Sequence, residues 1–332
     1  MFTLEKLKLL LASEPAYRLA QAEHLIFQDL IVNWAAASVF PLALRQKLQT
    51  EFPLSIKAEP FPSADGRTIK AVFTLSDGEK VEAVLLDYPG RRNTVCVSSE
   101  VGCPLRCTFC ATGQLGFRRN LTAGEIVDQV LYFARFLKQK GEQVNNLVFM
   151  GMGEPFLNYD NVLAAIKFLN HKDTLHIGAR RFSISTAGIP EGIRKLAKEK
   201  LAVNLAVSLH APDDQIRQRL MPIARQYSLA QIFSAVDFYL AQTKRKVMFE
   251  YLLIKDINDS DEAARKLIKL MKKKLYLVNL LTYNPTDLCQ PSGPERLRKF
   301  QNILKRGGVE VTVRHSFGSD IAAACGQLAG RK

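Results

Sequence analysis

Three cysteines in the stretch Cys103-Pro-Leu-Arg-Cys107-Thr-Phe-Cys110 are the residues whose types and spacing point most directly to chemistry. They place three thiolates on one short loop without a fourth ligand nearby. Four cysteines saturate every iron of a cubane iron–sulfur cluster, whereas three leave one iron open. An open metal position is where a substrate can bind and react. The spacing therefore favours a [4Fe–4S] cluster with a free coordination site.

A structural zinc loop and three unrelated thiols are the alternative interpretations. Zinc usually takes paired Cys-x-x-Cys or Cys/His sets, and no second pair lies elsewhere in the sequence. The N-terminus lacks a secretory signal, and the most apolar stretch, residues 30–44, is too short to span a bilayer. We therefore expect a cytosolic protein whose six cysteines serve metal binding or catalysis rather than a disulfide framework.

The net charge is unevenly distributed. The chain carries a formal net charge of +14, but residues 1–90 hold nine Lys/Arg and eleven Asp/Glu. The basic surplus lies after them, with paired arginines at Arg91-Arg92, Arg118-Arg119 and Arg180-Arg181 and a lysine run at 272–274. Such a surplus attracts a polyanion such as a nucleic acid, although a solubilising surface explains it equally well.

The N-terminal part is expected to combine short helices with a hairpin. Apolar spacing predicts helices up to about residue 50, and Pro53, Pro60 and Pro62 indicate a linker. Two alternating segments then flank the turn Ser76-Asp77-Gly78 and predict a β-hairpin, with strands over 69–75 and 81–86.

From residue 94 the pattern changes to an alternation of strands and helices. The candidate strands are 95–97, 146–150, 182–185, 203–208, 247–253, 276–281 and 309–313. Helical segments lie between them near 122–140, 159–170, 190–199, 228–243, 260–273 and 294–306. This series predicts an α/β fold with a parallel sheet, either a partial (β/α)6 barrel or a doubly wound sheet.

Polar residues at the predicted strand ends favour the barrel. The segments Met150–Pro155, Ser185–Gly188, Ser208–His210 and Tyr283–Pro285 stand where strands finish. Parallel barrels place their active sites at the carboxyl ends of strands. Gly151-Met-Gly153 alone is a poor nucleotide fingerprint, so these glycines are expected to let backbone approach a ligand closely.

Several of these segments together resemble the RlmN/Cfr family of radical S-adenosylmethionine (SAM) RNA methyltransferases. The cysteine spacing resembles the signature of the wider radical SAM superfamily, in which SAM chelates the fourth iron. Cys96 together with Asp320-Ile-Ala-Ala-Ala-Cys325-Gly-Gln-Leu-Ala-Gly330 narrows the likeness to this family. It runs from about residue 80 to residue 330 and includes Ala111-Thr-Gly, Arg119-Asn-Leu, Gly151–Pro155, Ser208–His210 and Tyr283–Pro285.

The resemblance implies a partial radical SAM barrel preceded by accessory elements. We accordingly expect an N-terminal helical domain over residues 1–62 and a β-hairpin and linker over residues 63–92. The barrel and its C-terminal segment would then occupy residues 93–332.

Three residues gain roles in the reaction by this resemblance. Cys325 is implied to take a methyl group from one SAM and deliver its carbon to C2 of adenine through a protein–RNA adduct. Cys96 is implied to release the product by forming a transient disulfide with Cys325, and Glu82 to remove the ring proton. On their own, Cys96 reads as a buried strand cysteine and Glu82 as an exposed strand carboxylate.

The resemblance also implies the cofactors and partners. Cys103, Cys107 and Cys110 would hold the [4Fe–4S] cluster, and SAM contacts would come from Gly153, Glu154, Ser185, Ser208, Leu209, His210 and Asn284. By itself His210 reads as a core histidine. The expected partners are 23S rRNA (family site adenosine-2503), tRNA (adenosine-37) and a reducing electron donor such as flavodoxin or ferredoxin. We expect a monomer without membrane association.

Three other functions remain open from the sequence. Lys274–Asn279 and Tyr283–Thr286 are similar to the C8-methylating resistance branch of the family, whereas Gly153–Pro155 is similar to the C2-methylating branch. A different radical SAM reaction and a non-catalytic iron–sulfur or zinc RNA-binding protein are further alternatives. Cys289 matches no family role.

Overall fold

Short helices form the N-terminal part, as predicted. The structure is a computed structural model that describes residues 4–88, 92–284, 289–314 and 317–329. Four residues of the motifs named above lie outside the described residues, namely Arg91, Pro285, Thr286 and Gly330. His315 and Ser316 lie outside them as well. The first helices are α1 (Leu4–Leu10), α2 (Tyr17–Phe27) and α3 (Leu42–Glu51), with a 3-10 turn at Trp34–Ala36 between α2 and α3. The fully buried Trp34 ties this part together, since its indole N–H donates to the carbonyl of Phe52 at 2.7 Å.

The predicted linker was wrong for residues 58–62. These residues form strand β1 (Ala58–Pro62), which pairs antiparallel with β2 (Thr68–Thr74). Proline lacks an N–H donor and is accepted in a strand at the edge of a sheet, which is where β1 lies. The predicted hairpin is confirmed, because β2 pairs with β3 (Lys80–Tyr88) across a turn at Gly78, whose φ of 87° suits glycine.

The rest of the described chain alternates strands and helices. The strands are β4 (Arg92–Val97), β5 (Glu100–Gly102), β6 (Phe117–Asn120), β7 (Asn146–Phe149), β8 (Phe182–Thr186), β9 (Asn204–Ser208), β10 (Val247–Leu253), β11 (Tyr276–Thr282) and β12 (Val311–Arg314). The helices are α4 (Ala111–Gln114), α5 (Ala123–Lys138), α6 (Tyr159–Asn170), α7 (Pro190–Lys198), α8 (Asp214–Leu220), α9 (Leu229–Thr243), α10 (Asp261–Leu270) and α11 (Pro294–Arg306). Within the described ranges, no helix is both long and apolar enough to cross a membrane.

Strand order decides between the two parallel folds predicted from the sequence. Among the described residues, β4 and β7 to β12 are parallel neighbours in the order in which they occur along the chain. A doubly wound sheet would reverse its strand order at a switch point. The uninterrupted order is that of a partial barrel, so the barrel prediction is confirmed.

The hairpin continues the barrel sheet instead of standing apart from it. Strand β3 pairs antiparallel with β4, with Val84 opposite Cys96. The strands β1, β2 and β3 thus extend the parallel sheet on one side. The division into parts at residues 62 and 92 remains a prediction, since a shared sheet alone does not decide whether the parts fold separately.

A small second sheet was not predicted. Strands β5 and β6 pair antiparallel on either side of the three cysteines, with a register shift between Val101 and Gly102. These strands are short and have little periodicity of their own. They bring the two ends of the cysteine segment together.

Phe249 on β10 provides a test of the barrel core. Its ring is fully buried and lies 5.2 Å from that of Phe233 and 4.9 Å from that of Tyr276. We expect Phe249→Ala to lower the free energy of unfolding by about 3 to 5 kcal/mol, because it leaves a cavity among aromatic rings. Denaturant unfolding followed by circular dichroism measures this, with the 45% exposed Phe117→Ala as a control expected to change it by less than about 0.5 kcal/mol. Equal losses in both variants would contradict the assigned packing.

Candidate active site

The cysteine loop, residues 103–110, is fixed by backbone hydrogen bonds to distant parts of the chain. The N–H of Cys103 donates to the carbonyl of Gly116 at 3.0 Å, and the N–H of Thr108 donates to the carbonyl of Leu220 at 2.9 Å. A segment without a regular helix or strand needs such partners for its buried donors. The loop is therefore held in position by the residue before β6 and by the last residue of α8.

The three thiols surround a cavity rather than a point. Burial, with a smaller contribution from the neighbouring thiols, raises the pKa of both Cys103 and Cys107. Together with Cys110 they line a cavity of about 170 Å³, called here the central cavity. No three His, Cys, Asp or Glu side chains among the described residues are placed to hold one metal ion. A cubane binds each thiolate at a different iron, so three thiols around one cavity fit such a cluster.

Most of the predicted site residues line the central cavity. They come from the cysteine loop, from the carboxyl ends of β7, β8 and β9, and from residues 317–329, called here the C-terminal segment. The predicted residues that line it are Cys103, Cys107, Cys110, Gly153, Glu154, Ser185, Ser208, His210 and Cys325. Four predicted residues lie elsewhere, namely Glu82, Cys96, Leu209 and Asn284.

Glu154 is a buried carboxylate held by two backbone donors. It accepts the N–H of Phe156 at 3.0 Å and that of Ala187 at 2.6 Å, and burial raises its pKa to about 7. Gly153 precedes it with a φ of 101°, and a Cβ there would come within 2.8 Å of the backbone nitrogen of Glu100. The glycine therefore allows the tight turn that places Glu154 at the cavity wall.

Glu100 is a site residue to which the sequence analysis gave no role. It is fully buried, and one carboxylate oxygen accepts the N–H of Glu154 at 2.9 Å. The other oxygen has no hydrogen-bond partner among the described residues. Burial raises the pKa of Glu100 to about 8. Two carboxyl groups with raised pKa values thus stand beside the cysteine loop, which is typical of functional sites.

His210 is a cavity residue, as the resemblance implies, and also a buried, hydrogen-bonded histidine, as its place in the sequence suggests. Its ring lines the central cavity, and Nδ1 accepts the N–H of Leu252 at 3.0 Å. Burial, followed by the positive charge of Arg217, lowers its pKa to about 3. The ring is therefore neutral and carries its proton on Nε2. Leu209 next to it has a fully buried side chain in the hydrophobic core, so any ligand contact would come from its backbone.

Two serines line the central cavity, and Asn284 lies next to Cys325 outside the cavity lining. The hydroxyl groups of Ser185 and Ser208 lie 3.5 Å apart on neighbouring strands. Asn284 donates to the carbonyl of Cys325 at 3.2 Å. Asn284 thus contacts the C-terminal segment directly.

Cys96 and Cys325 share a second, smaller cavity. This side cavity of about 90 Å³ adjoins the central cavity, and Cys110, Arg314 and Cys325 line both. All six cysteines lie within the described residues and are free thiols, so the predicted Cys96–Cys325 disulfide is not formed in this structure. Cys325 is exposed, whereas burial, followed by the nearby Cys325, raises the pKa of Cys96 to about 12.

Glu82 is not the exposed carboxylate that its strand position suggested. It is buried on β3, where it lies 3.3 Å from the amino group of Lys70 and accepts the N–H of Ala329 at 3.0 Å. It lines neither cavity. Strand alternation places it on the same face of β3 as Val84, which lines the side cavity.

The C-terminal segment closes over the cysteine loop. The carbonyl of Gly326 accepts the N–H of Ala111 at 2.8 Å, and that of Leu328 accepts the hydroxyl of Thr112 at 2.6 Å. These contacts hold Cys325 where the two cavities meet.

The comparisons with known proteins agree with this geometry. Residues 97–268 match the model of the radical SAM superfamily. A "probable dual-specificity RNA methyltransferase RlmN" of Thermus thermophilus is 47% identical over 94% of this chain and 89% of its own length. One of the same name from Chloroflexus aurantiacus is 44% identical over 99% of this chain and 92% of its own length. The crystal structure of a radical SAM methyltransferase from Sphaerobacter thermophilus superposes with a TM-score of 0.95 at 42% identity, covering 99% of this chain and 98% of that one.

Gly153→Ala is expected to weaken SAM binding at least about tenfold, or about 1.4 kcal/mol, because the added Cβ displaces Glu100 and Glu154. Gly66→Ala is a matched control, since Gly66 also has a positive φ but no atom within 4 Å of an added Cβ. Calorimetric titration of the cluster-loaded proteins with SAM measures the difference. Unchanged affinity in Gly153→Ala would contradict the tight turn.

The buried Glu100 should make the cluster-free protein less stable as the pH rises. Its pKa is raised from 4.5 to about 8 in the folded state, so its contribution is complete below pH 4.5 and is lost as the pH rises through about 8. We expect Glu100→Gln to flatten this part of the stability profile, whereas Glu51→Gln at an exposed position leaves it unchanged. Thermal unfolding across that pH range measures both. An unaltered slope in Glu100→Gln would contradict the assignment.

Proposed function

Because the chain belongs to the RlmN family of radical SAM methyltransferases, we propose that it methylates C2 of an adenine in 23S rRNA and takes tRNA as a second substrate. The chain is a SAM-dependent radical methyltransferase whose cofactors are a [4Fe–4S] cluster and SAM. The observation that carries the RNA proposal is the position of Cys325, an exposed thiol where the central and side cavities meet.

The central cavity is proposed to hold both cofactors. Cys103, Cys107 and Cys110 would hold the cluster, and the buried carboxylate of Glu154 would accept the ammonium group of SAM. When bound, the reduced cluster supplies the electron that cleaves SAM to a 5′-deoxyadenosyl radical. A radical route suits C2 of adenine because that carbon is too electron-poor to act as a nucleophile.

Cys325 is proposed to carry the carbon that reaches the RNA. Its thiol takes a methyl group from one SAM molecule, and the S-methyl group then loses a hydrogen atom to the radical formed from a second. The resulting carbon adds to the adenine ring and leaves protein and RNA joined through sulfur. The exposed position of Cys325 supports this role, since RNA can approach from solvent while the sulfur faces the cofactors.

Cys96 is proposed to release the product by attacking the sulfur of Cys325, which breaks the bond between that sulfur and the methylene carbon. The one electron left in excess by the radical addition would return to the oxidised cluster, and the methylene carbon would take up a proton to become the methyl group. A thiolate performs such an attack. Because burial raises the pKa of Cys96, its thiol is protonated in the protein without RNA. The positive charge of Arg314 opposes this shift. Cytosolic reductants would then reduce the resulting disulfide, in keeping with a cytoplasmic location. The electron for the cluster would come from an external donor such as flavodoxin or ferredoxin.

Glu82 is proposed as the base that removes the ring proton. Its carboxylate is paired with Lys70 and with the N–H of Ala329, a residue of the segment that carries Cys325. Movement of that segment during the reaction would therefore alter the surroundings of the base.

Exposed basic and aromatic side chains beside the cysteine loop support an RNA substrate. Arg106 lies on the loop itself, and Phe117 and Arg118 lie on β6, which pairs with β5 at its base. Arginines contact phosphates, and an exposed aromatic ring can stack on an unpaired base. The target adenine has to leave its stack to reach a buried cluster.

Mass spectrometry of nucleosides tests the proposal directly. RNA treated with reduced enzyme and SAM should contain 2-methyladenosine, and Cys325→Ala should abolish it while reductive SAM cleavage continues. Cys289→Ala is the matched control, since Cys289 lines neither cavity and its loss should leave methylation unchanged. Full methylation by Cys325→Ala would overturn the mechanism.

The remaining outcomes separate the alternatives. 8-Methyladenosine would assign the chain to the C8-methylating branch. Reductive SAM cleavage without any RNA product would indicate a different radical SAM reaction.

A further inference from the structure

Arg217 on α8 is a fully buried cation that the reaction outlined above does not use. Its Nη1 donates to the carbonyl of Tyr227 at 3.4 Å, and its Nη2 donates to the carbonyls of Ala187 and Ser208. All three acceptors are neutral. The Nε atom has no hydrogen-bond partner among the described residues.

The part of the chain that the structure describes supplies no ion-pair partner for this guanidinium. Asp214 on the same helix attracts it without forming an ion pair, and the Asp214 carboxylate accepts the N–H of Leu229 at 2.8 Å. Burial lowers the pKa of Arg217 to about 10, which leaves it charged at neutral pH. A buried charge without a counterion is strongly unfavourable, so we expect a bound anion to balance the charge of Arg217.

The charge lies next to the wall of the central cavity, because the carbonyls that accept from Nη2 belong to Ala187 and Ser208, which line that cavity together with Cys107. Leu220, on the same helix as Arg217, accepts the N–H of Thr108, the residue after Cys107. The strongest attraction that Arg217 experiences is to Cys107, and the guanidinium in turn opposes the burial effect on the pKa of that thiol. A cubane held by three thiolates carries one net negative charge when oxidised and two when reduced. A fixed cation nearby therefore stabilises the reduced form more than the oxidised form.

We propose that Arg217 is a counter-cation for the cluster, located beside the cavity that Cys107 lines, and that it raises the reduction potential of the cluster. It is a positioning residue, because it touches no reacting atom and acts through Cys107. The step that it favours is the transfer of one electron from the external donor to the oxidised cluster. The inference rests on the proposed cluster ligands and does not depend on which RNA or which adenine carbon is methylated.

Reductive titration of the loaded protein, followed by electron paramagnetic resonance without RNA, tests this proposal. At the wild-type midpoint, we expect the ratio of reduced to oxidised cluster to fall about tenfold in Arg217→Gln, a shift of about 59 mV for one electron. Arg217→Lys keeps the charge and should retain most of the wild-type potential. The exposed Arg219→Gln removes the same charge two residues away and should leave the potential unchanged.

A purely structural role predicts a different pattern. If Arg217 only ties the carbonyls of Ala187 and Ser208 together, Arg217→Gln and Arg217→Lys will share one potential, and the proposal fails. It also fails if the shift appears only with SAM bound, because the counterion would then be the SAM carboxylate. Should Arg217→Gln not retain iron, retention by Arg217→Lys supports the charge role, and equal loss in both variants overturns it.

Discussion

The hydrogen bonds that anchor the cysteine loop are the constraint on which the candidate active site depends. Three thiols on a short irregular segment can hold a cluster only if the segment is fixed. Its backbone partners are the residue before β6 and the last residue of α8, and the C-terminal segment holds Ala111 directly after the loop. These elements are far apart in the sequence and meet only in the folded barrel. The loop therefore takes its shape from the whole fold, and any change that loosens one anchor acts on the cofactors.

The electrostatics of the central cavity complement two ligands of opposite charge. Glu154 and Glu100 stand on the side where the ammonium group of SAM is proposed to bind, and burial raises the pKa of both carboxyl groups. Arg217, whose carbonyl partners Ala187 and Ser208 line the same cavity, is proposed to balance the negative charge of the cluster. His210, which lines the same cavity, is neutral because burial and the charge of Arg217 lower its pKa. Binding of the two cofactors would thus compensate the buried charge of Arg217 and favour the charged form of the two carboxyl groups.

Much of the fold could be predicted because it is encoded locally. Periodicity located the parallel strands, and Asp77-Gly78 located the hairpin, since both patterns depend on neighbouring residues. The cysteine spacing likewise pointed to an open iron position. The roles of Glu100 and Arg217 could not be predicted, because they arise from burial that α8 and β5 acquire only in the folded chain. Glu82 was expected to be exposed for the same reason, since nothing near it in the sequence indicates its contacts with Lys70 and Ala329.

The edge strand β1 has a consequence for how the protein behaves towards other copies of itself. The N–H of Ser63 and the carbonyl of Lys57 point towards β2, so alternation turns the backbone of residues 60 and 62 outwards. Both of these residues are prolines, and they remove two of the donors that an incoming strand would need. This edge of the long sheet is thereby protected against edge-to-edge aggregation by two of the three prolines that had suggested a linker.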